Sequence, residues 1–530
     1  MKIKRISYIA AAFLAFAGLS SCVGDLNVKP IDESVQLPED VLQGESEFLA
    51  LLAKCYQGLA VSGSDGPDGS PDIDGIDGGF GQYLRALYYM QELTTDEALI
   101  TWNDQTVKDL HGLRYSSSDV FISAMYSRIF YQISICNEFI RQVNAYADPD
   151  KAVYKEMIAE ARALRALSLL HAIDMFGDVP FSTENDKVSS EGPKQMKRAD
   201  LFEWLDNECE DLISGGNLKG ARQAQYGRLD VNFVKMIRAK LNLNAAVYLG
   251  ISESAAKQYY DVVGTLCKEI KNDYPVLHGK YTDLFCADND QCTDEIIFGV
   301  PQDGVNIQTY GGTTFIVKSA YKGGNAAFVL ADAGIDDGWG GLLVTPEFMD
   351  KFDEGDVRSL FQGADGDSSV PKDIEKIDFS YGWSSYKFTN LHSDGTPHEV
   401  INFVSTDFPL FRAADAYLML AEAALRGAST VTEADARAAW NAVRTRAGLG
   451  SVTDYSLDGL IDERGRELYW ECWRRSDLVR FNLLTTGDYL WRWKGGSYEG
   501  NSVDSKFNLM PIPVSDLNSN SNLEQNDAWK

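Results

Sequence analysis

The chain has 530 residues and a formal net charge of −29, with 78 acidic against 49 basic side chains. Such an excess of negative charge repels phosphate backbones, which argues against a nucleic-acid partner. The length is sufficient for a large core, and aromatic residues, 11% of the chain, can serve both that core and a surface.

The first 21 residues have the pattern of an export signal. A basic start (Met1 to Arg5) precedes an apolar run from Ile9 to Leu19, and small residues lead directly to Cys22. The apolar run is shorter than the roughly 20 residues of a membrane span. We therefore predict a signal peptide over 1–21, lipidation of Cys22 and a tether over 22–43. The alternative is a cleaved secretory peptide that happens to be followed by a cysteine.

Amphipathic helical patterns dominate the remaining sequence. In EMIAEARALRALSLLHAIDMFG, apolar residues recur every three positions from Leu164 to Phe176, and Gly177 ends the pattern. The other segments with this period are FVKMIRAKLNLNAAVYLG, LFRAADAYLMLAEAALRG, ADARAAWNAVRTRAGL and LIDERGRELYWECWRRSDLVRF. We predict a mostly α fold in one domain, 44–530, built of paired helices that resemble tetratricopeptide units.

Two irregular insertions interrupt these helices, at about 61–105 and 277–408. They are rich in Gly, Asp and aromatic residues, and the second contains the strand-like runs EIIFGV and TTFIV. Loops of this length are usually functional. We therefore expect the insertions to form a binding face on the helical scaffold.

Catalytic motifs are missing from the sequence. It has no Walker loop, HExxH, GxSxG or dinucleotide-binding glycine pattern. Among 78 acids, a glycosidase pair cannot be identified without geometry, so a glycoside hydrolase stays open as an alternative. Seven cysteines follow Cys22, and pairing of the two near neighbours, Cys286 and Cys292, is left open.

The glycine-rich stretch DGPDGSPDIDGIDGGFG, residues 65–81, is not an EF-hand, because an isoleucine occupies a ligand position and the closing glutamate is missing. A flexible linker would fit its composition, but Phe80 and Tyr83 lead at once into structure. A second acidic cluster, Asp288 to Asp290 with Asp294, offers oxygen ligands suited to calcium. A solvated loop is the simpler interpretation of that cluster.

Five segments in order resemble the signature segments of the SusD/RagB family of outer-membrane lipoproteins. They are RALRALSLLHAIDMFGDVPF, FPLFRAADAYLMLAEA, NAVRTRAGL, ERGRELYWECWRRSDLVRF and LMPIPVSDLNSNSNLEQN. The runs DGSPDIDG, YGGTT, ADND and YLWRWKGG are closest to the family's starch-binding founder. The resemblance implies a lipid-anchored protein at the cell surface that caps a SusC-like TonB-dependent transporter and binds glycan without cleaving it.

The resemblance also implies site residues. Ile100 departs from the family pattern, where another tryptophan would stand, and Gln105 replaces an asparagine. The implied calcium site is incomplete, since Ser405 occupies its third acidic position. We expect starch or a related α-glucan as ligand, with a different polysaccharide or peptides as alternatives. The implied glycan contacts are Trp102, Tyr310, Trp339, Arg85, Asp77 and Gln105, and the implied calcium ligands are Asp290 and Asp407.

Overall fold

The computed structural model describes residues 38–187, 191–321, 330–363 and 382–530. The predicted signal peptide, Cys22 and most of the predicted tether lie outside the described residues. Within the described ranges, no helix is both long and apolar enough to cross a membrane.

Paired helices form the scaffold, as predicted. The helices of the described residues are α1 (Pro38–Val41), α2 (Glu45–Ala60), α3 (Tyr83–Gln91), α4 (Gln105–His111), α5 (Val120–Tyr146), α6 (Ala152–Met175), α7 (Arg198–Ser214), α8 (Val231–Leu243), α9 (Ala245–Leu249), α10 (Glu253–Asp273), α11 (Gly312–Ala320), α12 (Pro346–Met349), α13 (Ala413–Leu425), α14 (Glu433–Arg446), α15 (Leu457–Leu468), α16 (Arg474–Arg480) and α17 (Val514–Ser519). The two longest, α5 and α6, pack against each other, and further pairs follow along the chain: α7 with α8, α8 with α10, α10 with α13, and α13 with α14.

Local sequence explains where the long helices begin and end. The Asp119 carboxylate caps α5 by accepting hydrogen bonds from the backbone N–H groups of Phe121 and Ile122, at 2.9 and 3.1 Å. Helix α6 ends just before Gly177, which adopts a positive φ of 71°. The predicted end of this helix is therefore confirmed.

Short strands pair into small antiparallel ribbons, and the described residues contain no larger sheet. The prediction of short strands within the irregular insertions is confirmed for EIIFGV, which contains β4. The ribbons pair β1 (Leu99–Ile100) with β5 (Leu342–Leu343), β2 (Val179–Pro180) with β3 (Gln195–Met196), β4 (Ile296–Val300) with β8 (Phe408–Arg412), and β6 (Phe361–Gly363) with β7 (Trp383–Ser385).

Three local predictions were wrong. The run TTFIV is not a strand but lies in α11. There the Thr313 hydroxyl donates to the Thr406 carbonyl, and the Thr314 hydroxyl accepts from the Val404 N–H. Leu410, predicted as helical, lies in β8. The segment predicted as one helix from Phe233 to Tyr248 breaks at Asn244 into α8 and α9. For TTFIV and Leu410, contacts distant in sequence override the local pattern. At Asn244 the side-chain amide donates to the Lys240 carbonyl one turn earlier, at 2.9 Å, where the helix ends.

A cluster of buried ion pairs joins α14 and α15 to the β4–β8 ribbon. Glu467 lies at its centre, with its carboxylate 3.0 Å from Arg412 Nη1 and 3.2 Å from Arg358 Nη1, and it also contacts Arg446. All four side chains are buried. Buried charges of this kind must be paired, so the cluster fixes how the helices meet the ribbon.

The seven described cysteines are all buried and unpaired. This includes Cys286 and Cys292, whose pairing the sequence left open. Burial chiefly raises the pKa of the Cys286 thiol to about 11 and that of Cys292 to about 12. Both therefore remain protonated and behave as small apolar side chains.

Candidate functional site

The guanidinium of Arg85, a residue of α3, lies at the centre of an aromatic cluster. Its carbon lies 4.2 Å from the ring centre of Phe80, 5.4 Å from that of Trp102 and 5.8 Å from that of Trp339. Its Nη1 donates to the carbonyl oxygens of Gly79 and Tyr310, both at 3.0 Å. The side chain is only 3% exposed, so Arg85 holds the rings together from beneath. Its Nη2 makes no hydrogen bond to any described residue.

The three aromatic residues implied by the family resemblance come together around Arg85. Trp102 is partly buried and donates its Nε1–H to the Gly340 carbonyl at 2.9 Å, next to Trp339 in sequence. The ring centres of Tyr310 and Trp339 lie 6.2 Å apart. All three rings are partly exposed. The structure thus joins residues 102, 310 and 339 into one aromatic surface.

The glycine-rich loop lies against this surface. The Asp77 carboxylate accepts a hydrogen bond from the Gly79 N–H at 2.9 Å and is itself exposed. A side chain at Gly79 would place its Cβ 3.2 Å from Tyr310 Cβ, so glycine permits the close approach. Burial and a hydrogen bond to Asp68 raise the pKa of Tyr310. The loop is therefore part of the aromatic site and not a free linker.

The two positions that depart from the family pattern, Gln105 and Ile100, lie in different environments. Gln105 is exposed at the start of α4 and donates to Asp109 Oδ1 at 3.0 Å. Ile100 is buried in the core at 1% exposed. The departure from the family pattern at Ile100 therefore lies beneath the surface, in β1.

Sequence reasoning missed several neighbours of the rings. Phe403 is buried, and its ring packs against that of Tyr310 with the two centres 5.4 Å apart. Lys318 is buried, and its Nζ lies 2.9 Å from Asp336 and also contacts Asp337, just before Trp339. The sequence does show that the 277–408 insertion is rich in aromatic residues, and this could have indicated further members of the cluster. Nothing local indicated which of them face Tyr310.

The predicted calcium ligands are near each other but form no complete cage. Asp407 is buried, and its carboxylate accepts hydrogen bonds from the Tyr226 hydroxyl and, at 2.7 Å, from the Gln302 N–H. Burial, with the nearby charge of Asp290, raises its pKa to about 7. Ser405 Oγ lies 3.1 Å from His398 Nδ1. In the described part of the chain, no group of three or more acidic, histidine or cysteine side chains is arranged for a metal.

Calcium binding stays a prediction, with Asp290 and Asp407 as its carboxylate ligands and backbone or water oxygens as the rest. We expect Ca²⁺ at ten times its Kd to raise the free energy of unfolding by about 1.4 kcal/mol relative to EDTA. Thermal unfolding in each buffer measures this. The variant Asp407→Asn should lose the response, and equal midpoints with Ca²⁺ and EDTA in the wild type would contradict the prediction.

Comparisons with known proteins agree with this architecture. The family model described as the SusD family matches residues 367–529. The starch-binding protein SusD of Bacteroides thetaiotaomicron is 34% identical to this chain, and the alignment covers 100% of both chains. SusD-like protein P25 of Formosa agariphila is 25% identical, over 80% of this chain and 81% of its own.

Solved structures share the fold at lower identity. Surface glycan-binding protein A from Bacteroides thetaiotaomicron, solved in complex with laminarihexaose, has a TM-score of 0.69 and 19% identity, and the match covers 91% of this chain and 99% of that one. Surface glycan-binding protein A from Bacteroides uniformis has a TM-score of 0.68 and 22% identity, with 92% and 100% covered. With the full-length match to SusD, these findings identify the chain as a member of the SusD family of non-catalytic binding proteins.

Proposed function

We propose that this protein is a surface-exposed glycan-binding lipoprotein that captures starch or related α-glucan oligosaccharides and delivers them to a SusC-like TonB-dependent transporter. The observation that carries the proposal is the aromatic surface of Trp102, Tyr310 and Trp339 around Arg85. The full-length similarity to a protein named for starch binding supports the choice of ligand.

The chemistry of the site fits a sugar. A pyranose ring has an apolar face of C–H groups that stacks on aromatic rings, and its hydroxyls form directional hydrogen bonds. The exposed Asp77 carboxylate can accept from such hydroxyls, and Arg85 Nη2 can donate to them. The net charge of −29 favours a neutral glycan over an acidic one.

The ligand would bind weakly at each site. A shallow, partly wet surface suggests a Kd of about 10 μM to 1 mM, or roughly 4 to 7 kcal/mol. A polymer with many sites compensates through avidity. The lipid chain proposed on Cys22 would hold the protein at the outer membrane beside its transporter.

A glycan array tests the ligand class directly. We expect the protein to bind starch and malto-oligosaccharides on the array and not to bind acidic polysaccharides. Laminarihexaose belongs on the array because a protein of the same fold was solved with it. Preferential binding of laminarihexaose, whose glucose units are β-linked, of peptides or of a non-glucan polysaccharide would contradict the α-glucan assignment. New reducing ends after incubation with amylose would contradict a purely binding role.

A further inference from the structure

The aromatic surface is assembled from both insertions, and Gln82 lies buried where the two parts meet. Phe80 and Trp102 belong to the first insertion, whereas Tyr310 and Trp339 belong to the second. Gln82 is 0% exposed, so its side chain cannot touch a ligand. Any effect of this residue on glycan binding must therefore pass through the residues that it holds.

A single oxygen atom of Gln82 serves the first turns of two helices. Gln82 is the N-cap residue of α3, and its Oε1 accepts from the Arg85 N–H at 2.9 Å. The same atom accepts from the N–H of Gly312, the first residue of α11, at 3.0 Å. N–H groups in the first turn have no partner inside their own helix. Since Gln82 Nε2 also donates to the Leu59 carbonyl at 2.7 Å, one side chain joins α2, α3 and α11.

Gly311 of the YGGTT run permits this contact. Its φ of −103° and ψ of −159° lie in the extended region, which other residues adopt freely. A Cβ at Gly311, however, would lie 2.3 Å from Gln82 Oε1 and 2.5 Å from Gln82 Cβ. The glycine is therefore required by the close approach of Gln82 and not by its own backbone conformation.

The contact with Gln82 bears on both parts of the aromatic surface. Arg85, whose N–H it accepts, places its guanidinium carbon 5.4 Å from the ring centre of Trp102. Gly312, the other donor, follows Tyr310 by two residues, and the Tyr310 carbonyl accepts from Arg85 Nη1 at 3.0 Å. A movement of α11 away from α3 would therefore displace Tyr310 relative to Trp102.

We propose that Gln82 is a positioning residue for the glycan site, because its Oε1 sets where Tyr310 lies relative to Trp102. Without this acceptor, the buried N–H groups of Arg85 and Gly312 lose their partner, and α11 must shift before they find another. The proposal rests on the proposed function for its ligand. The placement of the rings, in contrast, can be measured without any ligand.

Three variants test the proposal by isothermal titration calorimetry with maltoheptaose. Gln82→Leu removes the acceptor and should raise the Kd about tenfold. Gln82→Glu has the same shape and keeps an oxygen at this place, so its Kd should stay within about threefold of the wild type. Gly311→Ala keeps every hydrogen-bonding group but forces Gln82 and α11 apart, and should raise the Kd about tenfold. Thermal unfolding checks that each variant is folded.

The matched control is Gln132→Leu. Gln132 is also 0% exposed, and its Nε2 donates to the Cys55 carbonyl of α2 at 2.6 Å. Its Oε1, in contrast, has no hydrogen-bond partner among the described residues. The control variant therefore loses a buried amide bonded to α2 but no acceptor for α3 or α11. It should bind maltoheptaose with the affinity of the wild type.

A second measurement follows the rings in the protein without ligand. The chain is labelled with 5-fluorotryptophan, and the ¹⁹F NMR resonances of Trp102 and Trp339 are assigned by single Trp→Phe substitutions. We expect both resonances to move in Gln82→Leu and in Gly311→Ala, and to keep their wild-type positions in Gln132→Leu. A general loss of stability would not separate the two glutamines in this way.

The two measurements keep this proposal distinct from the proposed function. Wild-type affinity and unmoved resonances in Gln82→Leu would refute the positioning role and leave the proposed function standing. Equal losses of affinity in Gln82→Leu and Gln82→Glu would also refute it, because the acceptor would then not matter. If the wild type does not bind maltoheptaose, the proposed function fails, and the ¹⁹F resonances decide whether Gln82 positions the rings. If Gln82→Leu does not fold, Gly311→Ala decides in its place.

Discussion

Replacing Trp102 by alanine is expected to weaken binding of maltoheptaose at least about 30-fold, a loss of about 2 kcal/mol or more. The ring centre of Trp102 lies 5.4 Å from the guanidinium carbon of Arg85, and its Nε1–H donates to the Gly340 carbonyl at 2.9 Å. Its removal deletes stacking surface and also loosens the segment that carries Trp339. From a starting Kd of about 10 μM to 1 mM, this loss gives a Kd of about 0.3 to 30 mM, which isothermal titration calorimetry measures as a strongly reduced heat of binding at equal concentrations.

The matched control is Trp204→Ala. Trp204 is also partly buried and packs edge-on against Phe181 at 4.8 Å, but it lies on α7, away from the aromatic surface. The Trp204→Ala variant should lose a similar amount of packing and bind maltoheptaose with the affinity of the wild type. Thermal unfolding of both variants checks that they are folded. Wild-type affinity in Trp102→Ala would remove this residue from the site and, with it, the central support for the proposed function.

The aromatic site shows what sequence can and cannot predict. Trp102 lies more than 200 residues before Tyr310 and Trp339, so no local pattern joins the three rings, and only the family resemblance selected them. The resemblance implies a direct glycan contact for Arg85, and this stays a prediction. The guanidinium is buried, and its Nε and Nη1 donate to Tyr89, Gly79 and Tyr310, so Nη2 is the nitrogen that such a contact would use. Phe403 was missed because its contact with Tyr310 depends on how the second insertion folds back.

The scaffold was more predictable than the insertions. Helix α6 follows from its apolar period because an amphipathic stripe is a local property. The run TTFIV favours a strand by composition, yet in α11 its threonine hydroxyls bond the 404–406 segment and Gly312 N–H donates to Gln82 Oε1 at 3.0 Å. Those partners are distant in sequence. Propensity could therefore predict the helical pairs but not the elements that depend on the insertions.

Replacing Glu467 by alanine is expected to lower the free energy of unfolding by about 3–5 kcal/mol. Its carboxylate faces Arg412, Arg358 and Arg446, all buried, and its loss removes one negative charge that these three cations share. Each cation keeps other carboxylate partners, which are Glu295 and Glu471 for Arg412, Asp356 and Glu463 for Arg358, and Glu295 for Arg446. Urea unfolding followed by circular dichroism measures the change as a lower midpoint at constant slope.

The control is Glu433→Ala in α14. Glu433 pairs with Arg437 at 2.6 Å one helical turn away, but its side chain is 65% exposed. Solvent screens such a pair, so the variant should differ from the wild type by less than about 0.5 kcal/mol. If Glu467→Ala were as stable as Glu433→Ala, the buried cluster would not hold the helices and the ribbon together.

The pH dependence separates the charge of Glu467 from its packing. Burial alone would raise its pKa, but the guanidiniums of Arg446, Arg412 and Arg358 outweigh that effect and hold it at about 2, against an ordinary 4.5. A lowered pKa means that the stabilisation is present in full above about pH 4.5 and is lost as the pH falls towards 2. The difference between these two pKa values corresponds to about 3 kcal/mol of stability. The variant Glu467→Gln keeps the shape of the side chain without its charge. The difference in unfolding free energy between the wild type and this variant should therefore narrow as the pH falls from about 4.5 towards 2. A difference that stays constant would assign the effect of Glu467 to packing.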